Sequence, residues 1–335
     1  MNSYRRSLQV GKAAIAWALV LRLWMAGVPD KLLRRLSQPD MASFLIYLET
    51  GRDVRFSLSR GNSVPAFSRE SPGPMLPEPD RAVFSPQEAE DIAVRYSCQQ
   101  RPDLQALLTQ PLDWNLADGE KRVLILHTHA TESYTQEGED YEESGAYRTL
   151  DEDWNMLCVG NRVTEILEQQ GIGVIHDTTL HDYPSYNGSY GRSRETAEKL
   201  LAENPGILLI LDLHRDAAGT VGHQLRTAAE TEAGTAAQLM LVLGTNHDRW
   251  QENLALGEKL YVLMERDAPG IMRPISLTEQ RFNQDLCPGS LLIEVGAAGN
   301  TRQEAILAAE KLAQAIAALG GGSVGSEELT VSGEQ

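Results

Sequence analysis

Residues 123–134, VLILHTHATESY, set two histidines and a glutamate directly behind an apolar run. Imidazole nitrogen and carboxylate oxygen are common zinc donors. His129 and Glu132 stand three residues apart, so a single turn of chain can aim both at one point. His127 shares a face with His129 if the strand continues, and it is an alternative ligand. A second apolar run, GILLILDL (206–213), exits into His214, Arg215 and Asp216. A third, SLLIEVGAAGN (290–300), carries Glu294 before a glycine-rich, flexible stretch. Two histidines and one carboxylate on zinc leave a fourth position for water, the pattern of catalytic sites. The reading is therefore a zinc site of His129, Glu132 and His214. Such a site needs another carboxylate to take a proton, and Glu294 fits, unless it is a structural partner of Arg215. Asp212 or Asp216 can orient His214. Glu152, at the start of LDEDWNML, competes with Glu132 as the carboxylate ligand.

The segment YPSYNGSYGRSRET (183–196) has three tyrosines and two arginines ahead of a helix. It reads either as a helix entry capped by Ser193 or as a substrate loop with Tyr190, Arg192 and Arg194. In the second reading the arginines take a carboxylate. Thr245, Asn246 and His247 follow another apolar run, AQLMLVLG, which makes Asn246 a further candidate for the substrate. His176, His181, His223 and His247 read as solvated or core residues, and Asp182 as a surface residue.

These positions require strands that end together. RVLILHTH, IGVIHDTT, GILLILDL, AQLMLVLG and SLLIEVG read as strands. WNMLCVGNRVTEILEQQ, RSRETAEKLLAEN, DRWQENLALGEKLYVLMERD and RQEAILAAEKLAQAIAAL read as helices. The alternation predicts an α/β fold, a mostly parallel sheet with helices on both faces. Ligands of such sheets collect at the carboxyl ends of strands.

Of 335 residues, 42% are hydrophobic, and the net charge is −17. That acidity argues against a nucleic-acid partner, which needs basic patches. Three cysteines without a CxxC pair argue against a thiolate metal site. Residues 1–29 join a basic head to an apolar stretch interrupted by Arg22, which predicts an export signal or membrane anchor with the rest outside the cytoplasm, anchored or secreted. Residues 30–118 read as a variable region and proline-rich linker, 119–319 as the catalytic domain, and 320–335 as a disordered tail.

ILHTHATESY, VIHDTTLHDYPSYNGSYGRSRET, LILDLHRDA and NQDLCPGSLLIEVGAAGNT together resemble the stage II sporulation protein P family over about residues 120–318. The resemblance implies a fold similar to zinc-dependent cell-wall amidases. It implies an N-acetylmuramoyl-L-alanine amidase that also cuts peptide cross-links of peptidoglycan during spore engulfment. It implies a lytic transglycosylase and a membrane scaffold as partners. It places His129, Glu132 or Glu152, His214 and Glu294 in the roles argued above, and Arg215 is the expected oxyanion donor. Competing readings are a wall-binding protein with a vestigial site and a zinc carboxypeptidase.

Overall fold

The structure, a computed structural model, describes residues 82–135, 147–220 and 223–321. The expected anchor, the first part of the linker and the tail beyond residue 321 lie outside these, as does the side chain of His223.

The described chain is an α/β fold with a seven-stranded sheet. In chain order the strands of the sheet are β1 (Val94–Ser97), β2 (Lys121–Leu126), β3 (Gly173–His176), β4 (Leu209–Asp216), β9 (Leu239–Gly244), β10 (Ile275–Thr278) and β11 (Ser290–Ala297). Two small hairpins, β5 (Gly219–Thr220) with β6 (His223–Gln224) and β7 (Ala228–Thr231) with β8 (Gly234–Ala237), stand between β4 and β9. The helices are α1 (Leu104–Leu108), α2 (Met156–Gln169), α3 (Ser189–Glu203), α4 (Trp250–Asp267) and α5 (Arg302–Leu319). The order across the sheet is β1-β10-β9-β11-β4-β2-β3. Every adjacent pair is parallel except β11 with β9.

Parallel neighbours require a crossover, and among the described residues no helix lies between β4 and β9. The hairpins keep the chain at the end of the sheet where β4 stops, so β9 runs back the other way. Hence Glu294 of β11 faces Met240, near the start of β9. Asn246 comes six residues later, about 20 Å further along the strand direction. Its backbone N–H bonds Gln280 O at 3.1 Å. Asn246 and His247 therefore sit at the opposite edge from the histidine-bearing strand ends, and the expectation of Asn246 as a substrate residue is corrected.

Alternation along the strands divides the core. Val123, Ile125, Leu209, Leu211 and Leu213 join the large cluster that includes α2, α4 and α5. Leu124, Leu126 and Ile210 pack instead with Ala197 of α3 and Cys287. Three long helices thus cover one face, while α3 and the chain around Leu286 cover the other.

Local signals set the helix ends. Asn155 Oδ1 accepts the Leu157 N–H at 2.9 Å to start α2. Gly171 follows its last turn at φ 75°, a left-handed geometry suited to glycine. Thr301 and Glu304 form a reciprocal capping box on α5. Helix α3 begins earlier than expected, after Gly188 at φ 82°, so Ser193 is a buried helical residue and not the cap.

The domain also begins before residue 119. Strand β1 extends the sheet beside β10, and Leu107, Leu108 and Leu116 are core residues. Four-residue strands such as β1 and β10 carry too little periodicity to be recognised in the sequence.

Candidate metal centre

The site forms where β2, β4 and β11 end, on the face covered by α3. His214 is on β4, and in-register pairing sets Glu294 of β11 beside it. His129 and Glu132 come from the turn after β2, closed by the Glu132 N–H bonding His129 O at 3.2 Å. One donor atom from each of His129, Glu132 and His214 lies within 4.8 Å of the others, and all three residues are buried. His129 Nδ1 is 3.4 Å from Glu132 Oε1, and His214 Nδ1 is 3.5 Å from Glu132 Oε2.

His214 Nε2 lies 3.0 Å from Asp212 Oδ1, and Asp212 is fixed in turn by the Thr128 backbone N–H at 2.8 Å and hydroxyl at 2.7 Å. A carboxylate behind a metal-facing imidazole is the usual outer partner of such ligands. Asp216 has a different role, pairing with Arg273 at 2.8 Å. Burial pushes the His214 pKa down, but Asp212 and Glu132 hold it well above the usual range. Glu132 shows the reverse balance: burial raises its carboxyl, and His129, His214 and Arg215 pull it well below the usual range. Two buried carboxylates therefore converge on His214 and favour positive charge at this point.

Glu294 Oε2 is buried without a hydrogen-bond partner. Burial, with Glu132 and Asp216 nearby, raises its pKa to about 8 against the opposing pull of His214 and Arg215. A carboxyl that titrates near neutrality can both take and return a proton. The strand beyond it is ordered, contrary to the expected flexible stretch. Gly296 bends β11 at φ 71°, and buried Asn300 accepts the Ala297 N–H at 2.9 Å and donates to Thr227 O at 2.7 Å.

Several sequence candidates lie elsewhere. His127 leaves the strand on the opposite face: its Nδ1 meets Leu213 O at 3.0 Å and its Nε2 meets His176 Nε2 at 2.9 Å. The turn at residues 128–131 breaks the alternation that would have put His127 with His129. Burial lowers the pKa of His127 to about 3 and that of His176 to about 4, so both are neutral core groups. Glu152 is exposed on a turn and is not in the metal-capable group.

Arg215 alternates away from His214 along β4. Its guanidinium donates to Ser133 O at 3.0 Å and Tyr147 O at 2.6 Å, and its backbone N–H donates to Glu132 Oε2 at 3.2 Å. It braces the loop from behind, so the expected oxyanion role is corrected. Arg192 directs its guanidinium to the carbonyls of His181, Ser185 and Asn187. Arg194 is paired bidentately with Asp285 at 2.9 and 3.0 Å. Neither arginine is placed to take a substrate carboxylate. His181 is structural, bonded to His127 O and Thr196 Oγ1, each at 3.0 Å.

Tyr190 does reach the site. Its ring centroid is 5.5 Å from that of His129 and 6.5 Å from that of His214. Tyr186 stacks on His129 at 4.6 Å while 53% exposed, so it borders the site on its solvent side.

Sequence reading missed Arg148 and Asp182. Asp182 is buried, accepting the Thr131 hydroxyl at 2.6 Å and Arg148 Nη1 at 2.5 Å. Arg148 Nη2 also holds Glu132 Oε1 at 3.0 Å. The adjacency of His181 and Asp182 was a visible signal, but burial of Asp182 depends on the loop folding over it.

The family model described as Stage II sporulation protein P matches residues 77–317. The chain belongs to this family. It is 30% identical over 200 residues to stage II sporulation protein P of Bacillus subtilis (strain 168), covering 56% of this chain and 48% of that protein. The chain thus spans about half the length of this curated relative. The family match starts ahead of β1, in keeping with the early strand and helix being part of the fold.

Solved structures with weaker likeness include the amidase AmiC2 of Nostoc punctiforme, at 16% identity and TM-score 0.37, covering 58% of this chain and 94% of that one. The CwlD amidase of Clostridioides difficile, in complex with the GerS lipoprotein, gives 14% and 0.38, covering 60% and 96%. The catalytic domain of the amidase CwlV from Bacillus (Paenibacillus) polymyxa var. colistinus gives 16% and 0.37, covering 59% and 94%. These scores are too low to bear on the reaction.

Proposed function

We propose that the chain is a zinc-dependent peptidoglycan hydrolase of sporulation, cleaving the amide between N-acetylmuramic acid and L-alanine. The observation that carries this reading is the buried convergence of His129, Glu132 and His214, with the buried, unpartnered Oε2 of Glu294 in the adjacent register position. The donor set of two imidazoles and one carboxylate fits zinc. His129, Glu132 and His214 would hold the ion. Bound zinc supplies Lewis acidity for the scissile carbonyl and lowers the pKa of water.

The chain's own residues do the rest. Asp212 keeps the His214 ring oriented. Glu294 takes the proton of the attacking water and returns it to the leaving amine nitrogen. Tyr190 and Tyr186 border the site and position substrate, with Tyr190 kept protonated by burial and by the carboxylates around it. Cross-link endopeptidase activity, attachment to the outer side of the membrane through residues 1–29, and work alongside a glycan-cleaving transglycosylase and a membrane scaffold belong to the same proposal. Among the described residues, no helix is long and apolar enough to cross a membrane.

The test is digestion of purified sacculi by the full chain with and without zinc, read by mass spectrometry of the muropeptides. Free stem peptides with L-alanine amino termini are expected, lost with chelator and restored by zinc. Binding to sacculi without release of any new amino terminus would refute the hydrolase, and release of terminal amino acids alone would make it a carboxypeptidase.

A further inference from the structure

Glu132 is the proposed ligand that lies furthest along the chain from a strand end. It must be held by its loop, and Arg148 contacts both. Arg148 pairs with Glu132 across an isolated antiparallel bridge. Its Nη2 lies 3.0 Å from Glu132 Oε1, and its Nη1 lies 3.2 Å from Thr131 Oγ1 and 2.5 Å from Asp182 Oδ2. Asp182 also takes the Thr131 backbone N–H at 3.2 Å and hydroxyl at 2.6 Å. On its other side the guanidinium lies 4.8 Å from the ring centroid of Tyr186, which stacks on His129. One side chain therefore touches two consecutive loop residues and the tyrosine that stacks on His129.

A guanidinium next to a dication site is an electrostatic cost by itself. Like charges brought together in a site shielded from water repel more strongly than they do in bulk solvent. Asp182, whose side chain is fully buried, cancels most of that charge. We infer that Arg148 and Asp182 form a charge-neutral clamp that positions Glu132 for the metal, with Arg148 fixing the carboxylate and Asp182 making its charge tolerable. Arg148 is thus a positioning residue, and this inference rests on the metal reading above.

The clamp makes an unusual prediction about charge. Losing an outer partner of a metal ligand typically weakens affinity about 10- to 100-fold, and Arg148→Met should do so. Asp182→Asn should weaken it at least as much, although Asp182 touches no ligand, because it leaves the guanidinium uncompensated. The double variant should be no worse than Asp182→Asn, since removing the uncompensated charge offsets the damage.

The experiment measures the zinc dissociation constant of the full chain by competition with a chromogenic chelator, for the parent and three variants, with thermal unfolding of the zinc-free forms alongside. Arg148→Lys serves as a second variant in case Arg148→Met does not fold. One ammonium cannot fork to both carboxylates, so an intermediate loss is expected. A parent that binds zinc, with all variants within twofold of it, overturns the clamp alone. So does a double variant whose loss equals the product of the single losses. A parent that binds no zinc overturns the metal reading and the clamp with it.

Discussion

Glu294→Gln separates proton transfer from every other duty at the site. The substitution keeps the volume of the side chain and one acceptor oxygen but cannot take a proton. A positioned acid–base group contributes typically about 10²- to 10⁴-fold in rate, or about 3–5 kcal/mol of barrier. Zinc content should be unchanged, because Glu294 is outside the three-residue donor group.

The same carboxyl should also cost stability in the zinc-free chain. Burial, with Glu132 and Asp216 nearby, raises its pKa from 4.5 to about 8. The folded chain then binds more protons than the unfolded chain between those pH values. Stability from protonated Glu294 is complete below pH 4.5 and is lost as pH rises through 8. Full conversion sets a ceiling of about 5 kcal/mol above pH 8. An effective interior dielectric of about 20 reduces this, so a gain of about 1–3 kcal/mol is expected for Glu294→Gln at about pH 9 and almost none below about pH 4.5. At about 2–4 °C per kcal/mol, calorimetry of zinc-free samples resolves it. The assay pairs zinc stoichiometry and muropeptide release on one sample with unfolding at those two pH values. Unimpaired release would dismiss Glu294 as the base. Lost zinc would make it a ligand. A variant less stable than the parent at the alkaline pH would refute the argument from the burial of Glu294.

His214→Ala should lose most of the bound zinc by elemental analysis. His127→Ala should keep it, while losing about 2–3 kcal/mol in denaturant unfolding, since it orphans Leu213 O and His176 Nε2. Gly296→Ala should reduce both stability and muropeptide release. Its Cβ would come 2.8 Å from Ala237 Cβ at φ 71°, straining the bend that follows Glu294. Glu258→Gln should stabilise the chain by about 1–3 kcal/mol at about pH 9 and leave it unchanged near pH 4.5. Both Glu258 oxygens are buried without partners, and burial raises its pKa to about 8 despite neighbouring Lys259. An equal effect at both pH values would show that its charge is not the cause.

The amino-acid sequence by itself determined the long elements and the residue types that meet at the candidate centre. Strands of six to eight residues built on short apolar runs, and the capped starts of α2 and α5, are local signals, legible without any tertiary contact. His129, Glu132, His214 and Glu294 were legible because each follows or ends such a run. Only the tertiary structure decided the choices that depend on direction. One choice was which way His127 points once the strand breaks into a turn. Another was which face Arg215 takes on β4. A third was the direction of β9, reversed because hairpins and not a helix precede it, which sent Asn246 to the far edge. The roles of Arg148, Asp182, Arg192 and Arg194 were equally out of reach. Each is settled by hydrogen bonds to residues between 5 and 91 positions away, and such contacts leave no periodic trace in the sequence.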